Sequence, residues 1–326
     1  MRPVDKAMKY LAALLLAIGA AGAASAQQAY PAKAVRVVVP FPPGGATDVI
    51  TRLVAHKMTE AWKQPVVVEN KAGATGAVGA TFVAKSDPDG YTILMGTAST
   101  HSVAPAANSK LPYNNLGDFT PISLVARFPN MLVVHPSVPA KNVRELIALV
   151  KANPGKYNYA STGIGGSVHL AAELFKLMTQ TEIVHVPYKG SAPALNDLLS
   201  GQVHMAFDNM TTVWPHAQAG RLRALGVAGQ ERSPAAPDVP AIAEALPGFE
   251  ANSWVGFFGP AGLPQDIAQA FAAQTRRALD APEVAQKLRE LGAAPAASSP
   301  REFAEFVKTD TERWRKVAKA ANISLD

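Results

Sequence analysis

From Val35 onward the chain alternates short β-branched runs with stretches whose apolar positions recur every three or four residues. Compact apolar runs bounded by turn residues predict strands, and the 3.6-residue recurrence predicts helices with one buried face. Strands are predicted at residues 35–41, 66–69, 91–95, 131–135, 156–160, 183–187, 203–207, 223–228 and 253–258. Between them, Ile50, Leu53, Val54 and Met58 share one helical face, as do Val143, Leu146, Ile147 and Val150. Asn142 with Glu145 three residues on forms a capping box at the start of the second of these helices. Ser299-Pro300-Arg301-Glu302 repeats that cap with proline at the first helical position, and Phe303, Phe306, Val307, Trp314 and Val317 continue as an apolar stripe. These stripes are core positions. Alternating strand and helix patterns predict an α/β fold with a largely parallel sheet.

Two places break the alternation. Residues 121–130 form an extended connection between two strand–helix blocks, and the proline-rich residues 233–248 precede a strand with no helix between them. Together they predict two lobes joined by a two-segment hinge, with residues 27–126 and 251–326 in lobe 1 and residues 127–250 in lobe 2. Ahead of both lobes, Arg2, Lys6 and Lys9 flank an apolar stretch at residues 11–24 that ends in Ala24-Ser25-Ala26. This pattern predicts a secretory signal peptide over residues 1–26 with cleavage after Ala26. The stretch falls short of the roughly 18 apolar residues that a membrane span requires.

Composition narrows the class. With 326 residues, 48% hydrophobic and 17% charged, the chain has ample material for a large core. The signal segment carries three basic residues and one acidic, so the whole-chain charge of +6 becomes +4 without it. Lysine and arginine are scattered and not interleaved with aromatics, which argues against a nucleic-acid partner. The mild positive balance suits an acidic small molecule, and equally a surface tuned for solubility. Cysteine is absent, so neither a disulfide nor a lipoprotein anchor is available. An exported chain of this kind is expected in the bacterial periplasm as a monomer, with no cofactor and no metal.

The candidate chemistry lies in a feature that occurs twice, a strand running into a glycine-rich turn that opens a helix. The first copy is Phe41-Pro42-Pro43-Gly44-Gly45-Ala46-Thr47-Asp48, and the second is Ser161-Thr162-Gly163-Ile164-Gly165-Gly166-Ser167, with His169 in the next helix. Each turn aims unpaired backbone N–H groups past a helix start, where an anion is favoured. Neither contains a lysine or arginine. Taken singly, each also reads as an ordinary strand-to-helix turn, and His169 as a structural histidine. Asp48 has two readings, a residue favouring the helix start or an acceptor for a cationic group on the ligand. Thr97 and Ser99, Tyr188 and Asp208 come at the ends of other predicted strands, where polar residues commonly line the crevice of an α/β sheet. Ser191 is read as the cap of the next helix. Among enzyme signatures, no G-x-S-x-G elbow, P-loop or HExxH occurs. Ser161, His169 and Asp208 can be written as a nucleophile, base and orienting acid, which makes a secreted hydrolase the rival reading.

On these residues the sequence resembles the Bug family, the periplasmic solute receptors of tripartite tricarboxylate transporters. The resemblance is carried by FPPGGATD at residues 41–48, ENKAGATGAVGATFVAKSDPDGYTILMGT at 69–97, YNYASTGIGGSVHLAAELF at 157–175 and VPYKGSAPALNDLLSGQVHMAFDN at 186–209. It implies a two-lobed type II periplasmic binding protein fold in which a ligand carboxylate is pinched between one turn from each lobe. Phe41 and Gly44 to Asp48 then form one jaw, and Ser161, Thr162, Gly165, Gly166, Ser167 and His169 the other. The implied ligand is a small carboxylate: a dicarboxylate, a tricarboxylate, an acidic amino acid or an aromatic acid. The implied partners are the membrane subunits of the transporter, and a sensor acting on a signalling partner is the alternative role.

Overall fold

A computed structural model describes residues 30–320. The expected signal peptide and its cleavage site lie outside them, and the strands and helices all belong to the unit beginning at Lys33. Its first strand, β1 (Val35–Val39), is almost wholly buried and pairs in parallel with β2 (Val66–Asn70) and β3 (Thr92–Thr97). Between β1 and β2 runs α1 (Ala46–Trp62), whose buried face includes Ile50, Val54 and Met58 at the predicted spacing. Helix α2 (Ala77–Ala84) leads to β3, after which come a wide π turn (Ser99–Val103) and the short α3 (Ala104–Ala107).

The next strand, β4 (Phe119–Val134), is 16 residues long. After it come α4 (Val143–Lys151), β5 (Asn158–Ser161), α5 (Ser167–Thr179), β6 (Val184–Pro187), α6 (Ser191–Leu199), β7 (Met205–Asn209), α7 (Met210–Gln218) and β8 (Arg223–Val227). The chain then returns through β9 (Asn252–Pro260), α8 (Gln265–Asp280), α9 (Pro282–Glu290), β10 (Ala294–Pro295) and α10 (Pro300–Ala320). Both predicted caps form, the second as a full capping box and the first with its glutamate bonded one residue ahead of the cap. Asn142 accepts from the Glu145 N–H at 2.9 Å while Glu145 accepts from the Lys141 N–H, and Glu302 accepts from the Ser299 N–H at 2.8 Å.

The strands are ordered β2-β1-β3-β9-β4-β7-β5-β6, with β8 and β10 also on β4. Residues 119–129 of β4 pair with β9, whereas residues 130–134 pair with β7 and β8, so one strand serves both lobes and changes partner between Pro129 and Asn130. The predicted connection at residues 121–130 is therefore the first part of a strand. Its prolines hide it, since Pro121 sits where the register shifts, one of the few sheet positions that tolerate proline. The expectation of a largely parallel sheet holds only for β1–β3 and β5–β7. Strands β4 and β9 cross between lobes in opposite directions, so every pairing that involves them is antiparallel.

Each lobe has its own core. One gathers Val38, Leu94, Phe119, Trp254, Phe258 and Phe303, the other Leu132, Leu146, Tyr159, Phe175, Phe207 and Phe249. Helix α10 reaches both, with Phe303 and Val307 in the first and Trp314 in the second.

Candidate functional site

The carboxyl ends of β1, β3, β5 and β7 open on one cleft, as parallel strands of an α/β sheet do. It is lined by Phe41, Pro42, Gly45, Ala46, Thr47, Thr97 and Ser99 from one side and Thr162, Ser167, Ser191 and Asn209 from the other; Phe128, Ser253 and Val255 of the hinge strands form its back wall. Four helix starts thus meet there: Ala46 and Thr47 open α1, Ser167 opens α5, Ser191 opens α6, and Asn209 is the cap position of α7. The lining includes no lysine, arginine or histidine. About 30 Å³ is available to the centres of water-sized atoms. One water needs about 10–15 Å³ by this measure, so the space suits about two, or the two oxygens of one carboxylate.

The jaws touch. Ser99 Oγ accepts from the Ser167 N–H at 3.0 Å and donates to Ser167 Oγ at 3.2 Å. Helix α5 has glycine at its cap position and no side-chain cap of its own, so a serine from the opposite side supplies the missing oxygen. A second bridge runs from Thr75 Oγ1 to the Ile164 carbonyl, 2.8 Å. Thr75 and Ala74 are both held at positive φ, 53° and 46°, a conformation that costs a side-chain-bearing residue energy. Gly163 faces Thr75 at φ +137°, and a Cβ there would stand 2.7 Å from Thr75 Oγ1, so glycine is what lets the two turns approach.

Of the residues singled out from sequence, Phe41, Gly45, Ala46, Thr47, Thr97, Ser99, Thr162 and Ser167 line the cleft. The others lie behind or beside it. The Asp48 carboxylate accepts from the Gly44 N–H at 3.0 Å, from Arg52 Nε and from Asn70 Nδ2 at 2.9 Å. Burial pushes its carboxyl up, but Arg52, Gly44 and Asn70 together hold it below its ordinary value. Asp48 thereby folds the first turn against its own helix. Gly44 takes φ +86° in that turn, and Gly165 and Gly166 shape the second. Tyr188 donates to Asp197 at 2.6 Å, away from the cleft.

Behind the second jaw, Ser161 Oγ bonds His185 Nε2 at 2.7 Å, and His185 stacks on His169 with centroids 4.3 Å apart. His169 Nδ1 accepts from the Gly165 N–H at 3.1 Å, which fixes the glycine turn from beneath. Burial lowers both imidazoles, His185 to about 4, so neither is a cation at neutral pH. Asp208 is buried and accepts from Ser191 Oγ at 3.1 Å and from the Asn209 N–H at 2.7 Å. Ser161, His169 and Asp208 therefore each have other partners and make no relay.

Pro42, Phe128, Ser191, Asn209, Ser253 and Val255 line the cleft without being among the contacts expected from sequence. Ser191 and Asn209 carry a signal, each being polar at a strand end or helix start. Phe128, Ser253 and Val255 sit in β4 and β9 and reach the cleft only through the register Phe128↔Ser253 and Ala126↔Val255.

Two α/β lobes sharing hinge strands, with a cleft of helix starts between them, define a periplasmic binding protein of the solute-capturing kind. Residues 50–323 match the family described as "Tripartite tricarboxylate transporter family receptor", and the chain belongs to it. Protein BugT of Bordetella pertussis is 37% identical over 321 residues, covering 97% of this chain and 98% of that one. A solved R. palustris protein with adipate is 39% identical, with TM-score 0.88 over 90% of this chain and 99% of that chain. MatC from Rhodopseudomonas palustris with bound malate is 36% identical, with TM-score 0.85 over 88% and 99% respectively. The family is one of receptors, not enzymes. Among the described residues no helix is long and apolar enough to cross a membrane, and no group of three or more His, Cys, Asp or Glu could hold a metal ion.

Proposed function

We propose that the chain captures a small carboxylate in this cleft and, closed around it, delivers it to the membrane subunits of a tripartite tricarboxylate transporter. The observation that carries this reading is the meeting of four helix starts in a lining with no basic side chain. Each start carries roughly half a positive charge on N–H groups that no helix can satisfy internally, so an anion is held by dipoles and neutral donors. Such a grip is strong enough to select charge and weak enough to release it. The adipate and malate of the two relatives support an aliphatic diacid within the broader range of carboxylates.

In this reading lobe 1 is residues 27–126 with 251–326, lobe 2 is residues 127–250, and the signal peptide directs the chain to the periplasm. The partner change in β4 supports a hinge at this place. Phe41, Gly45, Ala46, Thr47, Thr97, Ser99, Thr162 and Ser167 contact the ligand, while Asp48, Ser161, His169 and Asp208 hold the turns. Closure requires a ligand that binds the closed form better than the open one, and a ligand touching both jaws does. The test is a thermal-shift panel of mono-, di- and tricarboxylates against amines, amides and neutral sugars. At least one carboxylate is expected to raise Tm by several degrees, because a ligand of the native state alone stabilises it. A shift by amines or sugars with none by any acid overturns the reading.

A further inference from the structure

Where β4 changes partner, its register sets Asn130 directly opposite Asn209 of β7. Residues directly opposed on antiparallel strands project from the same face of the sheet. Alternation along β4 puts Asn130 on the face that Phe128 presents, and Phe128, its β9 partner Ser253 and Asn209 itself all line the cleft. Asn130 is fully buried, and neither its Oδ1 nor its Nδ2 has a hydrogen-bond partner. The Oδ1 of Asn209 is buried without a partner as well. Asn209 occupies the cap position of α7, where asparagine ordinarily bonds the first-turn amides, yet its side chain makes no cap bond. Asn209 in the cleft lining and Asn130, buried directly opposite it on β4, thus keep side-chain hydrogen-bonding capacity unspent. Buried polar groups are nearly always paired, so such an exception calls for a role.

We infer that Asn130 and Asn209 form a distal subsite that reads a second oxygen-bearing group, a hydroxyl or carboxyl, on a ligand whose first carboxylate sits at the jaws. The inference rests on the carboxylate reading and deepens it. An amide N–H donates to a carboxylate or hydroxyl oxygen, and an amide oxygen accepts from a hydroxyl; a terminal methyl satisfies neither. The start of α7 beside Asn209 adds a positive dipole end, which favours an oxygen-bearing or anionic end group over an ammonium. Selection by such a site is sharp, because a ligand lacking the group leaves the amides buried and unpaired.

The test titrates the purified protein with matched diacids and monoacids of four to eight carbons, adipate with hexanoate among them. The wild type is expected to prefer the diacid by tenfold or more at its best length. Asn130→Leu is expected to cut that preference to within about twofold while leaving monoacid affinity unchanged, and Asn209→Ala, a change in the cleft lining itself, is expected to cut the preference as well. Asn130→Leu is also expected to leave the ligand-free Tm equal to or above the wild type, because it replaces an unpaired polar group with an apolar one of similar volume. No diacid preference at any length, a preference unchanged in both variants, or a drop of several degrees in the ligand-free Tm of Asn130→Leu overturns the subsite. Failure of the underlying reading shows separately, as equal affinity of the wild type for hexanoate and hexanamide.

Discussion

Asp208 lies behind the cleft and accepts from two of its lining residues, the Ser191 hydroxyl and the Asn209 N–H. Burial pushes its carboxyl up to about 6, against the opposing pull of the Asn209 N–H and the Ser191 hydroxyl. The folded chain therefore keeps a proton that the unfolded chain releases near the ordinary carboxylate value, and stability falls as pH rises between those two values. Above about pH 6 the penalty is constant, on the order of 2–3 kcal/mol. Asp208→Asn is expected to raise Tm at pH 7.5 by several degrees and to change it little near pH 4, as differential scanning calorimetry at the two pH values would show. Ser191 and Asn209, which bond this carboxylate, line the cleft, so a bound anion disfavours its ionised form further. Carboxylate affinity is accordingly expected to weaken severalfold from pH 5.5 to pH 7.5 in the wild type and not in Asp208→Asn.

At this same scale the sequence is legible where chemistry is local. The two glycine turns and the Thr97–Ser99 loop are contiguous, and they reach the cleft because a turn between a strand and a helix has one place to go. Sequence leaves the two readings of Asp48 unseparated, because its partners Arg52 and Asn70 identify themselves only once α1 and β2 are packed side by side. Asn130 reads in sequence as the end of a connector. Its place opposite Asn209 depends on a strand register that no local pattern specifies.

At the scale of elements, the informative contact is the one by which Ser99 caps α5 from across the cleft. A cap contributes about 1 kcal/mol to the helix it serves, and this one is available only when the jaws are shut. Ser99→Ala is expected to weaken ligand binding about fivefold while leaving the ligand-free Tm within a degree of the wild type. Calorimetric titration with the best ligand of the panel checks the first, and a thermal melt the second. Unchanged affinity would mean that the ligand displaces Ser99 from the Ser167 N–H. The long strand β4 is the element least visible in sequence. Pro121 and Pro129 break its pattern, and the antiparallel crossing it makes with β9 has no signature in a chain that otherwise alternates strand and helix.

At the scale of the molecule, the lobes are linked by more than the two hinge strands. Helix α10 packs Phe303 and Val307 into one core and Trp314 into the other, so closure has to pivot against a rigid brace. In the proposed closure, motion is confined to β4 and β9, the strands that pass behind the point where the four helix starts meet. The stripe on α10 is readable as apolar spacing, but not that its two ends belong to different cores. In the proposed reading the receptor as a whole recognises charge by geometry, through the convergence of neutral donors, and not by any single cation.

The direct measurement of that claim is calorimetric titration of the protein with the carboxylate that stabilises it most and, in parallel, with the fully methyl-esterified form of that same compound. The ester adds one methyl per carboxyl and removes the charge and the charge-assisted hydrogen bonds, each of which is worth about 1.5 kcal/mol more than its neutral counterpart; the primary amide, close to the acid in size, is titrated beside it and is expected to bind as weakly. With two such bonds at the jaws, the acid is expected to bind about 100-fold more tightly than the ester. Equal affinity for the two would contradict the account.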